Sequence, residues 1–433
     1  HSADTKILID CGLFQGLKVL RLLNWEPLPF TARDIEAVVL THAHLDHCGA
    51  LPLLVKAGFR GRIYCTPATL ELTKIILLDS AKIQEEEADY ANRKRFSKHT
   101  PALPLYTTED VENVFAHLHA VPLHEAFAIK HIQVCLYGAG HILGASSVEI
   151  KAEGKTLYFS GDLGRQADPL MWPPEAPPQA DAIIMESTYG NRSHSEKTSR
   201  EVLRECILEV SKNQGVLLIP SFSVGRAQNL AHEIVQLKNE GAVDANIPVY
   251  FNSPMGMEAN RLYEEYPEFH RLAPGAFNTL MDQVHEVRNA EESKALNESL
   301  QRPLIIIAAS GMMTGGRVLH HVRAFAGDPK NILLLAGFQA AGTRGRDLVD
   351  GKTEIKIHGA LRKVNCKVIA SDSFSAHADQ DELIKWLASA PTKPKKIFLV
   401  HGEPEALNTL SEKLQSQFNV DVQIPEMNGS IRL

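Results

Sequence analysis

The chain is poor in cysteine: 433 residues contain six, and no two of them form a Cys-x-x-Cys pair. Disulfide frameworks need many closely spaced cysteines, and zinc sites built from thiolates rely on paired cysteines. The six stand mostly in apolar contexts: Cys11, Cys48, Cys65, Cys135, Cys206 and Cys366. The sequence therefore predicts neither a disulfide scaffold nor a zinc-thiolate site.

The chain also lacks long apolar runs, internal repeats and low-complexity tracts. No stretch is long enough to cross a bilayer, and nothing in these residues resembles a signal peptide. We therefore expect a cytoplasmic protein without a membrane partner. With 44% hydrophobic and 22% charged residues, the chain can bury the cores of about two domains.

Positive charge is not in excess, because 45 Lys and Arg oppose 52 Asp and Glu and leave a formal net charge of −7. This balance argues against strong nonspecific binding of nucleic-acid duplexes over a broad surface. It leaves open a narrow cleft in which bound metal ions supply positive potential.

What the chain does have is a dense run of metal-binding side chains, His-Ala-His-Leu-Asp-His at 42–47, which begins one residue after the apolar stretch 37–40. Imidazole and carboxylate together suit zinc and related cations. A strand that ends in a tight loop lets the first two histidines face one metal ion while Asp46 and His47 face a second. Two adjacent metal ions are a common device for hydrolysing phosphate esters and some amides.

Further ligand candidates stand at the ends of later apolar runs: His141, Asp162 and His401. Each follows a predicted strand and opens a Gly-containing polar loop, and such strand ends gather at one rim in layered α/β proteins. Asp10 ends another strand, and we expect it to orient a ligand histidine from behind. The predicted metal ligands are His42, His44 and His141 for the first ion, Asp46, His47 and His401 for the second, and Asp162 as a bridge.

In this order, the His-x-His-x-Asp-His loop, a later histidine and a later aspartate resemble the pattern of the metallo-β-lactamase superfamily. Three residues narrow the resemblance: Glu186 after the strand 182–185, His377 in Ser-Ala-His-Ala-Asp, and His401 in Val-His-Gly-Glu. They are similar to the additional motifs of the β-CASP branch, whose members process nucleic acids. In that branch the third motif is usually histidine in enzymes that act on RNA and valine in those that act on DNA, so His401 favours RNA.

The resemblance extends over nearly the whole chain. Segments 220–228, 253–255, 309–317 and 337–343 resemble parts of the domain that β-CASP enzymes carry inside the lactamase fold. It implies an α/β protein in which a metallo-β-lactamase αββα sandwich, residues 1–188 and 373–433, holds an inserted parallel α/β β-CASP domain, residues 189–372. The patterns in the insert agree, because helical stretches at 199–212 and 226–237 alternate with buried strands at 216–219, 248–251 and 304–308.

The nearest likeness is to compact prokaryotic RNA endonucleases related to the catalytic subunit that processes messenger-RNA 3′ ends. It implies a zinc-dependent ribonuclease that hydrolyses RNA phosphodiester bonds with a hydroxide activated by two Zn²⁺ ions, with Mn²⁺ as the alternative metal. Asp46 and Asp162 would act in this catalytic centre as ligands. By resemblance, His377 protonates the leaving group, and Glu186 holds its tautomer.

Polar loops after strands of the insert are candidate contacts for a single-stranded RNA substrate. The Gly-rich segment 310–316 and the helix N-terminus behind it could hold phosphate oxygens. The predicted RNA-binding residues are Ser221, Ser223, Arg226, Ser310, Gly311, Arg317 and Arg344. A homodimer is a further expectation, because relatives often pair.

Other functions stay open at this point: a 5′-to-3′ exoribonuclease, a small-molecule metallo-hydrolase of the same superfamily, and an inactive RNA-binding relative. The large insert with His377 and His401 disfavours the second, and the complete ligand set disfavours the third. Ser-Ala-His-Ala in place of the Ser-Gly-His-Ala common in the ribonuclease J group, which recognises a 5′-monophosphate, favours internal cutting.

The chain begins at His1, a few residues before the first predicted strand. The family usually opens with a strand and a Gly-rich turn, and we expect that segment to be missing from this sequence.

Overall fold

A computed structural model describes residues 1–95 and 99–433 of the chain. Its contacts divide the chain into two compact units. The first comprises His1–Gln15, Val19–Ser193 and His377–Leu433, and the second comprises Gly16–Lys18 and His194–Ala376. The domain boundaries at 188 and 372 stay predictions.

The first unit contains a four-stranded sheet in the order β1-β2-β3-β4, with every pair parallel. Its strands are β1 (Lys6–Ile9), β2 (Ile35–Val39), β3 (Arg62–Cys65) and β4 (Leu118–Ala120). The helices of this part of the chain are α1 (Lys18–Leu22), α2 (Leu45–Cys48), α3 (Leu51–Lys56), α4 (Pro67–Lys94) and α5 (Thr108–Phe115), with 3₁₀ turns at Leu23–Trp25 and Ala32–Asp34. Strand β2 is almost wholly buried, as expected for a parallel strand covered on both faces.

A seven-stranded mixed sheet forms the other half of the first unit, in the order β19-β18-β9-β8-β7-β6-β5. Its strands are β5 (Phe127–Ile129), β6 (Ile132–Gly138), β7 (Ser146–Ala152), β8 (Lys155–Phe159), β9 (Ala182–Met185), β18 (Lys396–Leu399) and β19 (Asp421–Gln423). Strands β5 to β8 form an antiparallel meander, whereas β8, β9, β18 and β19 pair in parallel.

The two sheets of the first unit pack face to face around one apolar core. Val39 of β2 shares this core with Leu136 of β6 and Val148 of β7. The opposite face of the seven-stranded sheet is covered by helices α13 (Gln380–Ala388) and α14 (Pro404–Phe418), which bury residues such as Leu383 and Leu410. Helices therefore flank a sheet sandwich, as the predicted αββα architecture requires.

The second unit is built on a parallel six-stranded sheet in the order β12-β11-β13-β10-β14-β17. Its strands are β10 (Val216–Pro220), β11 (Val249–Asn252), β12 (His285–Glu286), β13 (Leu304–Ala308), β14 (Ile332–Ala336) and β17 (Lys367–Ser371), and an antiparallel pair is formed by β15 (Glu354–Ile357) and β16 (Ala360–Lys363). Its helices are α6 (Ser199–Asn213), α7 (Arg226–Asn239), α8 (Pro254–Glu265), α9 (Ala276–Met281), α10 (Ala290–Glu298), α11 (Val318–Phe325) and α12 (Arg344–Val349), with 3₁₀ turns at Pro267–Phe269 and Asp372–Phe374. Every residue of β10, β13 and β14 is buried, because separate apolar cores cover the two faces of the sheet.

The parallel run β8-β9-β18 explains how distant residues of the first unit meet. The carboxyl ends of these strands lie at one edge of the sheet, and Asp162, Glu186 and His401 each follow one of them within three residues. Separately, none of the helices within residues 1–95 and 99–433 combines the length and apolar character that crossing a membrane requires.

Candidate active site

The loop after strand β2 carries four of the seven predicted ligands and is fixed by the chain that follows strand β1. The N–H of Cys11 donates to the carbonyl oxygen of His47 at 2.7 Å. Gly12 comes next, where a Cβ would lie 1.5 Å from the carbonyl oxygen of Asp46. Only glycine allows so close an approach of two backbones, so the ligand loop depends on this residue for its position.

The first ligand group joins His42, His44, His141 and Asp162. Nδ1 of His44 lies 3.1 Å from Nε2 of His42 and 3.2 Å from Nε2 of His141. Oδ2 of Asp162 lies 3.5 Å from Nε2 of His42 and 3.6 Å from Nε2 of His141. Four ligands placed tetrahedrally at the usual zinc distances are about 3.3 Å apart. The donor separations therefore suit one four-coordinate cation.

The second group joins Asp46, His47 and His401 with the other oxygen of Asp162. Nε2 of His401 lies 3.4 Å from Oδ2 of Asp46, and Nε2 of His47 lies 3.4 Å from Oδ1 of Asp162. Within the described residues, Nε2 of His47 and Oδ1 of Asp162 are buried without a hydrogen-bond partner. Buried polar atoms without partners are costly, and a cation between these two atoms would satisfy both.

Asp10 orients two of the ligand histidines, His47 directly and His42 through Thr41. Its carboxylate accepts hydrogen bonds from Nδ1 of His47 at 2.7 Å, from Oγ1 of Thr41 at 2.8 Å and from the N–H of Thr41 at 2.7 Å. Because the Thr41 hydroxyl donates to Asp10, its oxygen accepts from Nδ1 of His42 at 3.1 Å. Both imidazoles thus carry a proton on Nδ1 and turn Nε2 toward the ligand groups.

The electrostatics of the two groups differ. Burial is the main cause that lowers the pKa of His42 and His141 well below the usual range and that of His44 to about 4, so these rings are neutral donors. Burial also opposes the charged form of His401, yet Asp162 and the hydrogen bond to Asp46 outweigh it and raise its pKa to about 9. A position that favours a proton this strongly also attracts a metal cation.

Access to solvent also distinguishes the groups. The side chains of His42 and His141 are each 1% exposed, whereas those of Asp46 and His401 are 39% and 30% exposed. A molecule entering from solvent would therefore reach the second ligand group first.

Glu186 and His377 form a pair beside the ligands. Nδ1 of His377 lies 3.2 Å from both carboxylate oxygens of Glu186 and 4.0 Å from Oδ2 of Asp162. Glu186 is buried and also accepts the N–H of Leu163 at 2.6 Å and that of Thr188 at 3.3 Å. The fixed carboxylate accepts the Nδ1 proton, so Nε2 is the atom of His377 that can exchange a proton with a substrate.

Three protein families match the chain. They are the Metallo-beta-lactamase superfamily at residues 2–207, the Beta-Casp domain at residues 227–348, and the Zn-dependent metallo-hydrolase RNA specificity domain at residues 362–425. Ribonuclease TTHA0252 of Thermus thermophilus is 36% identical over 421 residues, which cover 94% of this chain and 90% of the relative. The chain belongs to the β-CASP ribonucleases of the metallo-β-lactamase superfamily. A second relative, Transcription termination factor FttA of Methanocaldococcus jannaschii, is 31% identical over 454 residues, which cover 100% of this chain and 69% of the relative.

This β-CASP ribonuclease is therefore an RNA hydrolase. The family, the fold class and the hydrolase activity predicted from the sequence are confirmed. Its seven predicted metal ligands fall into groups that could hold a metal ion. The roles of the individual residues stay predictions.

The arginines predicted to contact RNA lie in the second unit of this β-CASP ribonuclease and bind its own backbone. Arg226 is buried and donates to the carbonyl oxygens of Ala336 and Phe374 at 2.8 and 3.0 Å. Arg317 and Arg344 also donate to backbone carbonyl oxygens, with shortest distances of 2.9 and 2.6 Å respectively. These bonds support the loops after the strands, and contact with RNA stays a prediction.

The remaining predicted RNA-binding residues follow two neighbouring strands of the second sheet. Ser221 comes after β10, and Ser310 and Gly311 come after β13, whose last residue pairs with the end of β10. Ser223 accepts a hydrogen bond from the hydroxyl of Ser253 at 2.8 Å. The structure thus brings Ser221 and Ser310 to one edge of the parallel sheet.

Sequence reasoning missed Thr41 and Thr188, which contact the ring nitrogens of His42 and His401. Thr41 could have been found, because it directly precedes the ligand run. Thr188 is 213 residues from its histidine, and no local pattern marks it.

Proposed function

We propose that this β-CASP ribonuclease cuts RNA internally at a centre that holds two zinc ions. The proposal rests above all on Asp162, whose Oδ2 faces one ligand group while its Oδ1 faces the other. One carboxylate shared by two sets of imidazole donors suits two adjacent cations. Mn²⁺ accepts the same donors and is the alternative metal.

When bound, the ions would lower the pKa of a nearby water and stabilise negative charge that develops on the scissile phosphate. The chain prepares the site by fixing its ligands before substrate arrives. Asp10 and Thr41 hold His47 and His42 with Nε2 turned inward. The partial exposure of Asp46 and His401 offers an approach for a phosphate from solvent.

His377 is the proposed general acid. Its Nδ1 proton is bound to Glu186, which fixes the ring so that Nε2 can give its proton to the leaving oxygen. The ring centroid lies 4.5 Å from that of His141, so the acid stands directly beside the ligands. General acid catalysis of this kind contributes about 10²- to 10⁴-fold to rate.

Internal cutting is favoured over digestion from the 5′ end by the residues around His377. The chain reads Ser-Ala-His-Ala at 375–378, and the 5′-monophosphate-recognising relatives typically have glycine before the histidine. The names of the relatives, a ribonuclease and a transcription termination factor, agree with action on RNA. A 5′-to-3′ exoribonuclease remains the alternative mode.

The deciding experiment uses one single-stranded RNA, labelled at its 3′ end and prepared with either a 5′-hydroxyl or a 5′-monophosphate. Zinc-loaded wild type should release discrete internal fragments from both substrates, and His377→Ala should lower the rate at least about 100-fold. His131→Ala, which removes an exposed histidine of the same unit, is the matched control. Mononucleotides released only from the monophosphate form would replace the endonuclease by a 5′ exonuclease.

Elemental analysis tests the number and identity of the ions. Two zinc ions per chain are expected after purification without chelator. A homodimer and a cytoplasmic location, expected from the sequence, stay predictions that sedimentation and cell fractionation would test.

A further inference from the structure

Thr188 connects the loop after strand β9 with the ligand His401. Its Oγ1 lies 3.0 Å from Nδ1 of His401 and 3.3 Å from the carbonyl oxygen of the same residue. Its N–H donates to Oε2 of Glu186 at 3.3 Å. Thr188 therefore bonds through its backbone to the carboxylate that holds His377, and through its side chain to a predicted metal ligand.

The hydroxyl of Thr188 fixes where the proton of His401 lies. A carbonyl oxygen only accepts hydrogen bonds, so the single Thr188 proton is the donor in the contact with the His401 carbonyl. The contact between Oγ1 and Nδ1 then requires a proton on Nδ1. Both contacts form together only when Nδ1 of His401 carries a proton, which leaves Nε2 as the nitrogen that can release its proton and bind a metal ion.

The backbone of this segment supports the same arrangement. His401 has a left-handed φ of +53°, and its carbonyl oxygen accepts the N–H of Ser187 at 3.2 Å in addition to the Thr188 hydroxyl. At the next position, a Cβ on Gly402 would lie 2.7 Å from the carbonyl oxygen of Ser187. The loop after β9 and the loop after β18 are thus held in close contact, with Thr188 as the side chain that joins them.

The tautomer decides which nitrogen of His401 can bind a metal ion. Nε2 lies 3.4 Å from Oδ2 of Asp46, whereas Nδ1 lies 3.4 Å from Oδ1 of Asp162. The two distances are equal, so the ligands alone do not distinguish the atoms. The hydrogen bond to Thr188 distinguishes them. Its Oγ1 lies 3.0 Å from Nδ1, which is closer than either carboxylate oxygen lies to a ring nitrogen.

We propose that Thr188 is a positioning residue that commits His401 to bind the second ion through Nε2, together with Asp46 and His47. The proposal rests on the two-ion centre proposed above. It predicts that removing the hydroxyl lets the ring rotate or change tautomer, which weakens one ion site and leaves the other intact. Outer partners of metal-bound histidines typically change metal affinity about 10- to 100-fold.

The test compares Thr188→Val, which keeps the shape and loses the hydroxyl, with Thr188→Ser, which keeps the hydroxyl. Metal-stripped wild type and both variants are titrated with Zn²⁺ against a chromophoric chelator, and the two binding steps are resolved. Thr188→Val should weaken one step about 10- to 100-fold and leave the other unchanged. Thr188→Ser should bind both ions within about 3-fold of wild type.

Two outcomes would overturn this inference and leave the two-ion centre standing. In the first, Thr188→Val binds both ions with wild-type affinity; in the second, Thr188→Ser binds zinc as weakly as Thr188→Val. A wild-type chain that binds a single zinc ion would overturn the two-ion centre and this inference with it. Nitrogen-15 chemical shifts of His401 in the zinc-loaded wild type add an independent readout. A metal-bound Nε2 with protonated Nδ1 is expected, and a metal-bound Nδ1 would contradict the assignment.

Discussion

His321, in the second unit, should make the protein less stable in mild acid. The residue is fully buried, and its ring is hydrogen-bonded on both sides. Nδ2 of Asn252 donates to Nε2 at 2.6 Å, and Nδ1 donates to Oδ1 of Asn297 at 2.7 Å. Burial, with smaller contributions from His320 and Arg317, lowers the pKa of His321 to about 4. The folded protein therefore holds this ring neutral.

The direction of this pH effect follows from the unfolded chain, where a histidine has a pKa of about 6.5. Above that pH His321 is neutral in both the folded and the unfolded state, so it does not make the free energy of unfolding depend on pH. As the pH falls below about 6.5, His321 becomes protonated in the unfolded state, whereas in the folded state it stays neutral until about pH 4. The free energy of unfolding therefore decreases over this range. A difference of about 2.5 pKa units corresponds to about 3 kcal/mol, of which about 2 kcal/mol is lost between pH 7 and pH 5.

Amide hydrogen exchange of peptides that span Val318–Phe325 would measure this loss. Tryptophan fluorescence is unsuitable, because all three tryptophans, Trp25, Trp172 and Trp386, belong to the first unit. After correction for intrinsic rates, His321→Gln should lose about 2 kcal/mol less opening free energy than wild type between pH 7 and pH 5. His285→Gln, an exposed histidine of the same unit, should behave like wild type. Parallel pH dependence in wild type and His321→Gln would refute the reasoning.

Other predictions concern the metal centre. Asp10→Asn should lower zinc affinity about 10- to 100-fold, because the carboxylate orients His47. Competition with a chelator would measure the affinity, and Asp34→Asn, which changes an exposed aspartate, is the control. Asp162→Ala should lose both ion binding and RNA cleavage, seen by elemental analysis and the labelled-RNA assay; retention of two ions would contradict the shared-ligand geometry. Gly12→Ala should cost more than about 3 kcal/mol in unfolding free energy, because the methyl group meets backbone rather than a movable side chain. Its thermal midpoint should fall well below that of Gly327→Ala, where nothing lies within 4 Å of the added Cβ.

Helices and strands of the second unit were predictable because their apolar patterns are strong and their ends are marked. The helix expected at 226–237 is Arg226–Asn239, and the strand expected at 304–308 is Leu304–Ala308. In the first unit, helix α4 runs from Pro67 to Lys94, since neither glycine nor proline follows Pro67 within it. It ends where Arg95 adopts a left-handed conformation, which the sequence does not mark.

That the predicted ligands lie close together could be expected from the sequence for a simple physical reason. An apolar run that ends in histidine or aspartate marks the end of a buried strand, and parallel strands bring such ends to one edge. The partners of the arginines could not be read in this way. Arg226 donates to a carbonyl 148 residues away, and backbone acceptors have no signature in a sequence. An arginine after a strand therefore looks the same whether it binds RNA or supports a loop.

The net charge of −7 and an RNA substrate are compatible because of how charge is distributed at the proposed centre. The ligand set is five histidines and only two carboxylates, Asp46 and Asp162, and burial keeps three of those histidines neutral. Two divalent ions would bring four positive charges against two negative ones among their direct ligands, while the carboxylates of Asp10 and Glu186 lie behind His47 and His377. The excess of positive charge is therefore confined to the ions and their direct ligands. A ligand set richer in aspartate would cancel that excess and repel the scissile phosphate. The preference for imidazole over carboxylate at this rim is thus what allows an acidic protein to bind a polyanion at one point.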